Sequence, residues 1–409
     1  MQQNKAIGLL SIPVLVAALG YFVDIYDLLL FGMIRNTSLA SLGLDGDNAV
    51  KVGLEIMSVQ MYGLLIGGIF WGILGDKKGR LSVLFGSILL YSVANIVNGF
   101  VHTVQQYEIC RFIAGIGLAG ELGAGITLVS ELISKEKRGI ATSLVAGIGL
   151  TGAIVAYFIS QAFDWRICFY IGGGLGLMLL ALRISVFESG MYTKIQHSDV
   201  RKGDFFMFFT KKSRMKKYIL SILIGLPTWY VIGLLIQVSD KFGKEFGIEE
   251  KIIPGKAVMF AYVAISIADV LIGLVSQALK SRKKALYIFY AITIVGIVLY
   301  FKQEHGTAGN MYLICALMGF GTGFWALFVT MAAEHFGTNL RATAATTVPN
   351  MVRGSLPIII SLFTALQHKW GFSFIDAGAI TGVVVMVIST VAVFLTEETF
   401  GKDLNFIEN

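Results

Sequence analysis

The sequence predicts an all-α integral membrane protein with twelve transmembrane helices, from its composition, the length of its apolar stretches and its short connections. Hydrophobic residues make up 56% of the 409 positions and charged residues 14%, so a soluble domain of this composition would expose large apolar patches. A helix of about 20 apolar residues crosses a bilayer core. Stretches of about that length cover residues 9–34, 54–75, 82–101, 106–131, 140–162, 167–186, 218–238, 256–279, 285–301, 310–333, 346–366 and 374–396.

The order of these stretches predicts two bundles of six helices. Glu131 and Arg138 stand seven residues apart after span four, and Glu334 and Arg341 repeat that spacing after span ten. A duplicated half-chain is typical of transporters whose two bundles rock around a central site. The predicted N-terminal bundle, basic cytoplasmic linker, C-terminal bundle and cytoplasmic tail are residues 1–187, 188–217, 218–396 and 397–409.

Basic residues predict the orientation in the membrane. With a cytoplasmic N-terminus, twenty-one Lys and Arg fall in inside segments and nine in outside ones. The positive-inside rule therefore predicts cytoplasmic N- and C-termini in a multi-pass plasma membrane protein, such as one of the bacterial inner membrane. The net charge of +7 follows from this topology, so we expect the lipid bilayer as a partner and no nucleic acid.

Two aspartates, Asp24 and Asp27, lie in the middle of span one. A carboxylate facing lipid at that depth costs on the order of 3 kcal/mol or more. Their spacing of three residues places both on one face of the helix, with Tyr26 turned away. We therefore expect both acids to face a protein interior or a watery cavity, and to take part in transport coupled to protons.

The remaining reactive residue types do not indicate an enzyme. All five histidines lie in predicted loops, and Cys110, Cys168 and Cys315 have no metal-type spacing. There is no nucleophile elbow or P-loop, and the spans leave little chain for a soluble catalytic domain. The sequence therefore predicts a protein without metal or cofactor, in which carboxylates carry protons as the coupling ion.

Residues 72–80 resemble the signature of the loop after helix two in the major facilitator superfamily, which has an acid, a glycine and basic residues in a tight turn. The resemblance covers essentially the whole chain. It implies two pseudo-symmetric six-helix bundles that work by alternating access, generally as a monomer. It also implies a cytoplasmic gate, whose residues here would be Gly72, Asp76, Gly79, Arg80, Glu131, Arg138, Glu334 and Arg341.

Two further segments resemble the phosphate:proton symporters of that superfamily. Residues 24–28 match their first-helix motif, and residues 111–121 follow the spacing of their fourth helix. The end of span six is similar to that of sugar-porter and metabolite:proton symporter relatives. Glu121 stands where the phosphate carriers have an aspartate, and Gly233 where they have an acid. These departures favour a small organic solute over phosphate.

The residues predicted to couple protons are Asp24, Asp27, Arg111 and Glu121. Because spans one and four run in opposite directions, Asp27 and Arg111 fall at similar depths, where an ion pair would keep both charges in a low dielectric. Our hypothesis is a switch in which protonation of Asp27 from outside releases Arg111. The alternative is a static pair that only orders helix packing.

Polar and aromatic residues within the spans are predicted to recognise the substrate, since a transport site needs a few polar groups among apolar walls. Arg353 follows Pro349 in span eleven, where helix distortion can open a cavity. It either fixes an anionic solute or extends to the cytoplasmic surface. The candidates are Gln60, Tyr62, Tyr157, Gln161, Trp229, Tyr230, Trp325, Asn350 and Arg353.

The predicted function is secondary active transport, a proton-coupled symport that takes up a small polar or anionic metabolite. The alternatives are a proton-coupled antiporter that exports drugs or metabolites, and a facilitative uniporter. These patterns leave open whether the substrate is phosphate, an organic acid, an amino acid, a nucleoside or a sugar.

Overall fold

The computed structural model describes residues 11–78, 80–121, 138–188 and 205–402, and all regular structure in these ranges is helical. Ten helices in this part of the chain are long and apolar enough to cross a membrane. The third predicted span is a shorter apolar helix, Ser82–Asn98, and the fourth is described from Val104 to Leu118. The prediction of an all-α membrane protein is confirmed.

The helices follow one another through short connections, and we number them by predicted span. The first half contains α1 (Ile12–Ser41), α2 (Gly46–Lys78), α3 (Arg80–Asn98), α4 (Val104–Leu118), α5 (Arg138–Ala162) and α6 (Trp165–Glu188). The second half contains α7 (Lys212–Trp229, continued by a π-helical stretch, Tyr230–Ile236), α8 (Pro254–Leu279), α9 (Arg282–Phe301), α10 (Ala308–Thr322 and Trp325–Glu334), α11 (Thr338–Arg353 and Leu356–His368) and α12 (Phe374–Leu395). Two short helices, Met207–Thr210 and Ser239–Glu245, precede α7 and α8 respectively.

Glycines let helix backbones touch within each half. A Cβ on Gly115 of α4 would overlap the carbonyl of Gln60 in α2, and one on Gly319 of α10 would lie 2.5 Å from the carbonyl of Ala261 in α8. Lipid tails are as apolar as leucine, so close packing of small residues replaces the hydrophobic effect in holding such helices together. The second and fourth helices of each half therefore pack in the same way.

Three helices change course near the middle of their length. α7 passes into its π-helical stretch after Pro227, α10 breaks between Thr322 and Trp325, and α11 breaks after Arg353. Pro357 lies in the first turn of the second segment of α11, where its missing N–H leaves no hydrogen bond unmade. Irregular backbone at membrane depth is tolerated where protein or a cavity, and not lipid, surrounds it. The breaks therefore indicate that a polar site or cavity lies near the middle of α7, α10 and α11.

The two halves meet along α1, α2 and α5 on one side and α8 and α11 on the other. Asn350 of α11 donates a hydrogen bond of 2.9 Å from its Nδ2 to the carbonyl of Ala119, just past the end of α4. Gly68 of α2 lies against the same asparagine side chain. We call the end of the molecule where α1 ends the Ser41 end, and the opposite end the Lys78 end.

Candidate functional site

An ion pair joins the two halves at the broken part of α11. Arg353 Nη2 lies 3.4 Å from Asp24 Oδ2, and both side chains are at most 1% exposed. Arg353 Nε and Nη1 and Asp24 Oδ1 have no hydrogen-bond partner among the described residues. Buried polar groups are normally paired, so the exceptions mark a place where another polar group can bind. The pair offers free donors to an anion and a free acceptor to a proton.

Trp325 lies beside this pair. Its ring centroid is 5.9 Å from the guanidinium carbon of Arg353, and its Nε1 has no partner among the described residues. Tyr21 and Tyr262 lie within electrostatic range of both Arg353 and Asp24. The site therefore combines one cation, one acid and an aromatic wall, drawn from α1, α8, α10 and α11.

The predicted pairing of Asp27 with Arg111 is confirmed, with Arg111 Nη1 3.1 Å from Asp27 Oδ1. Arg111 also donates to Asn95 and, at 3.2 Å, to Asn98 Oδ1, and it lies 4.6 Å from the ring centroid of Phe169. All of these partners belong to the first half. The pair therefore links α1, α3, α4 and α6 to one another.

Glu121 binds Arg183 of α6 through both carboxylate oxygens, one of them at 3.1 Å from Nη1. Both side chains are at most 1% exposed. A Cβ on Gly20 of α1 would overlap this pair, so the glycine lets α1 pack directly on it. A bidentate pair enclosed in this way holds α6 and α1 to the segment just past the end of α4.

The other predicted substrate residues are spread more widely. Gln60, Trp229 and Asn350 are buried, and each has a side-chain atom without a partner in the described part of the chain. Tyr230 is buried and donates its hydroxyl hydrogen to the carbonyl of Gly378 at 2.8 Å. Tyr62 is 45% exposed, Tyr157 is half-buried beside Gly255, and Gln161 is exposed near the end of α5. The structure brings Arg353, Trp325 and Asp24 together, while their roles stay predictions.

A cleft of about 1100 Å³ opens between the Ser41-end halves of α2 and α11. Its walls are mainly apolar, and its charged lining residues include Lys51, Glu55 and Lys241. Tyr62 and Pro357 are among its lining residues, and Pro357 lies in the first turn of the segment that follows the break after Arg353. The cleft therefore extends from the Ser41 end to the start of the second segment of α11, which follows Arg353.

A second set of contacts joins the two halves at the Ser41 end, between α1 and the segment that follows α7. Arg35 of α1 forms a bidentate pair with Asp240, at 2.7 and 2.8 Å, and donates to the carbonyl of Gln237 at 2.8 Å. Asn36 donates to the same carboxylate at 2.7 Å. We call Arg35, Asn36, Gln237 and Asp240 the Arg35 clasp. The sequence does not predict the clasp, because charged residues at helix ends are common and nothing in the local pattern pairs these.

The pKa of Asp240 lies below its ordinary value. Burial raises it, but the charge of Arg35 and the hydrogen bonds from Arg35 and Asn36 lower it by more. The stabilisation from a carboxylate with a depressed pKa is present above the ordinary aspartate value and is lost only as pH falls through the lower value of the folded state. The Asp240 carboxylate of the clasp therefore stays ionised through the neutral and mildly acidic range.

We expect Arg35→Gln to open the Ser41 end, because it leaves the Asp240 carboxylate largely buried without its cation. Spin labels on exposed Ala40 and Lys244 measure the opening as a longer and broader distance distribution. Arg35→Lys, which keeps the charge without the planar fork, should give an intermediate distribution. Lys251→Gln, an exposed change, serves as the control. Identical distributions in all four proteins would show that the clasp does not hold this end closed.

The predicted cytoplasmic gate lies partly outside the described residues, which include neither Gly79 nor Glu131, nor the side chains of Asp76, Arg80 and Arg138. A Cβ on Gly72 would lie 3.6 Å from Thr347 of α11, which makes this a contact between the halves. Glu334 pairs with Arg282 at 3.1 Å and accepts a hydrogen bond from Thr399. Arg341 donates to the carbonyl of Phe336 at 3.4 Å. Glu334 thus joins α10, α9 and the tail at the Lys78 end.

The membrane-length helices, the contacts between the two halves and the buried polar site are those of a membrane transporter. The sequence profile of the Major Facilitator Superfamily matches residues 14–361, and the chain belongs to this superfamily. The resemblance found in the sequence is therefore confirmed, and the protein is a transporter rather than an enzyme.

Several curated transporters are similar to this chain over most of its length. The niacin transporter NiaP of Acinetobacter baylyi is 28% identical, covering 99% of this chain and 98% of its own. The gentisate transporter of Corynebacterium glutamicum is 26% identical over 84% of this chain and 79% of its own. The sialic acid transporter NanX of Escherichia coli is 30% identical over 54% of each chain.

Proposed function

We propose that the protein takes up a small organic carboxylate together with a proton, and that Asp24 and the substrate compete for Arg353. The observation that carries the proposal is the Asp24–Arg353 pair, which is buried, joins the two halves and leaves two guanidinium nitrogens without a partner among the described residues. The planar donors of arginine match a carboxylate in geometry as well as in charge. Niacin, gentisate and sialic acid, named for three relatives, are organic acids.

Charge balance supplies the coupling. The empty carrier is neutral at this site when Asp24 is ionised and Arg353 is charged. The loaded carrier is neutral when Asp24 is protonated and a substrate carboxylate binds Arg353. A carrier holding only the proton or only the substrate has an unbalanced buried charge, which is costly in a low dielectric. The two neutral forms change between outward- and inward-facing states, so proton and carboxylate move together.

Two other buried pairs in the described part of the chain do not disturb this balance. Asp27–Arg111 and Glu121–Arg183 are each neutral, and each lies within the first half. Their charges therefore stay compensated when the halves move against each other. Asp24–Arg353 is different because its two members belong to halves that separate on one side and close on the other.

The proposal includes location and direction. It places the protein in a plasma membrane, such as the bacterial inner membrane, with both termini in the cytoplasm, as the basic residues predict. The Ser41 end then faces outside, so the cleft is the entrance and the Arg35 clasp must open to admit substrate. Protons and substrate enter together and leave at the Lys78 end.

Purified protein in liposomes tests the proposal with radiolabelled niacin. We expect acid outside to accelerate uptake several-fold over vesicles without a pH difference, after subtraction of the passive entry of the uncharged acid into protein-free liposomes. Protein-mediated uptake that ignores pH would indicate a uniporter, and export driven by acid outside would indicate an antiporter. Either result contradicts the proposal, as does a protein that moves neutral sugars or amines and no carboxylate.

A further inference from the structure

Asp269 of α8 is a buried acid that the proposed cycle does not use. The residue is 8% exposed, and none of the ion pairs among the described residues includes it. Its Oδ1 accepts a hydrogen bond of 2.9 Å from the backbone N–H of Ala326, and the backbone of Trp325 interacts with the same carboxylate. These two residues begin the second segment of α10.

The break in α10 explains this contact. The first N–H groups of a helix have no partner within it, and the residue before Trp325, Phe324, makes no side-chain cap of its own. A carboxylate from α8 fills that role, and it also lies favourably at the positive end of the helix dipole. Asp269 thus holds the start of the segment, and with it the backbone of Trp325, in one place.

Close approach of α8 to the break makes the contact possible. A Cβ on Gly323 would overlap Ala268 and lie 3.1 Å from the carbonyl of Ile265, both in α8. Any side chain at position 323 would therefore push the break away from Asp269. Asp269 and Gly323 therefore both determine where Trp325 lies, Asp269 by its hydrogen bond and Gly323 by allowing α8 to approach.

We infer that Asp269 is a positioning residue which sets the ring of Trp325 beside Arg353, so that the site binds flat carboxylates more tightly than puckered ones. This inference rests on the proposed function. A planar acid that places its carboxylate on Arg353 can stack its ring on Trp325, whereas a saturated ring of the same size and charge cannot. An aromatic pair in good geometry favours the flat ring by about five-fold in affinity.

Benzoate and cyclohexanecarboxylate, tested as inhibitors of radiolabelled niacin uptake, measure this preference directly. We expect the wild type to favour benzoate by about five-fold. Asp269→Ala and Gly323→Ala should each bring the two inhibition constants close together, with a smaller change in maximal rate. Asp269→Asn, which keeps a carbonyl acceptor for the helix start, should retain most of the preference. Ser266→Ala, one turn earlier on α8, is the matched control because Ser266 bonds only the carbonyl of Tyr262 among the contacts described for it.

A double-mutant cycle separates positioning from general damage. In a Trp325→Ala background, Asp269→Ala should cause no further loss of preference, since both changes act through one ring. An additive loss, or equal weakening of both inhibitors by Asp269→Ala, would overturn the inference. Should Asp269→Ala fail to fold, Asp269→Asn and Gly323→Ala carry the same test.

The outcomes also distinguish this inference from the proposed function. If Trp325→Ala removes the preference and neither Asp269 nor Gly323 variants change it, the positioning role is wrong and the site stands. If Trp325→Ala changes nothing and niacin uptake ignores Arg353 variants, the proposed site itself is wrong, and the inference falls with it.

Discussion

An Asp24→Asn variant should exchange substrate across the membrane without accumulating it. Asparagine cannot ionise, so the empty carrier keeps Arg353 charged and unbalanced, while the loaded carrier is neutral. Only the loaded form then reorients at low cost. We expect counterflow of labelled niacin against internal unlabelled niacin at a rate near that of the wild type, and acid-driven accumulation no greater than that of protein-free liposomes.

Asp27→Asn is the matched control, because Asp27 is also a buried, arginine-paired acid, one turn away on the same helix. Its partners all lie in the first half, so we expect this variant to keep acid-driven accumulation. If Asp27→Asn loses accumulation and Asp24→Asn keeps it, the coupling lies in the Asp27–Arg111 pair. The switch in which protonation of Asp27 releases Arg111 would then be supported. That result would contradict competition at Arg353.

Removal of the Arg353 guanidinium should abolish recognition of the carboxylate. Arg353→Gln alone would leave Asp24 buried without a cation. The informative variant is therefore the double change Asp24→Asn with Arg353→Gln, because the site is then neutral and both side chains stay polar. We expect its affinity for niacin to fall about 100-fold, because the charge-assisted hydrogen bonds are lost. Arg353→Lys should cost about tenfold, since it keeps the charge without the planar fork.

Calorimetry in detergent measures these affinities, with the thermal unfolding midpoint and elution profile of each variant as the check on folding. Arg166→Gln is a control for loss of an arginine near the membrane, since Arg166 packs on Trp165 and donates to the carbonyl of Val101, away from the site. Niacin binding by the double variant as tight as by the wild type would show that the carboxylate binds elsewhere.

Much of the fold could be predicted from sequence because a bilayer fixes the length and polarity of every span. The ends were predicted less well: α1 continues to Ser41 beyond the predicted limit at 34, since Arg35 and Asn36 are held by the second half and need no lipid. α11 begins at Thr338 and not at 346, because its first turns are less apolar, although Leu340, Thr343 and Ala344 are buried in protein. Hydropathy recognises the apolar residues that face lipid, and so it misses the polar parts of a helix that are covered by protein.

The breaks in α10 and α11 were outside the reach of hydropathy for a similar reason. An apolar run shows the same pattern whether its helix is continuous or interrupted. The break in α10 is fixed by tertiary contacts, the approach of Gly323 to α8 and the carboxylate of Asp269. In α11, Pro349 predicts a distortion, but the helix continues through Pro349 to Arg353, and the break lies just before Pro357.

The site was partly predictable. Asp27 and Arg111 could be paired because two charges at one depth of neighbouring spans need each other in a low dielectric. Asp24 and Arg353 were both named, but their pairing depends on how the two halves dock, and no spacing in the chain encodes that. Glu121 was named as a coupling residue, whereas its bidentate contact with Arg183 became visible only with the helices in place.

Proton uptake on substrate binding tests competition at Arg353 most directly. Niacin is ionised at neutral pH, and binding heats measured in two buffers of different ionisation enthalpy give the number of protons that the protein takes up. We predict about one proton per niacin bound for the wild type and about none for Asp24→Asn. A wild-type protein that binds niacin without taking up a proton would contradict the account.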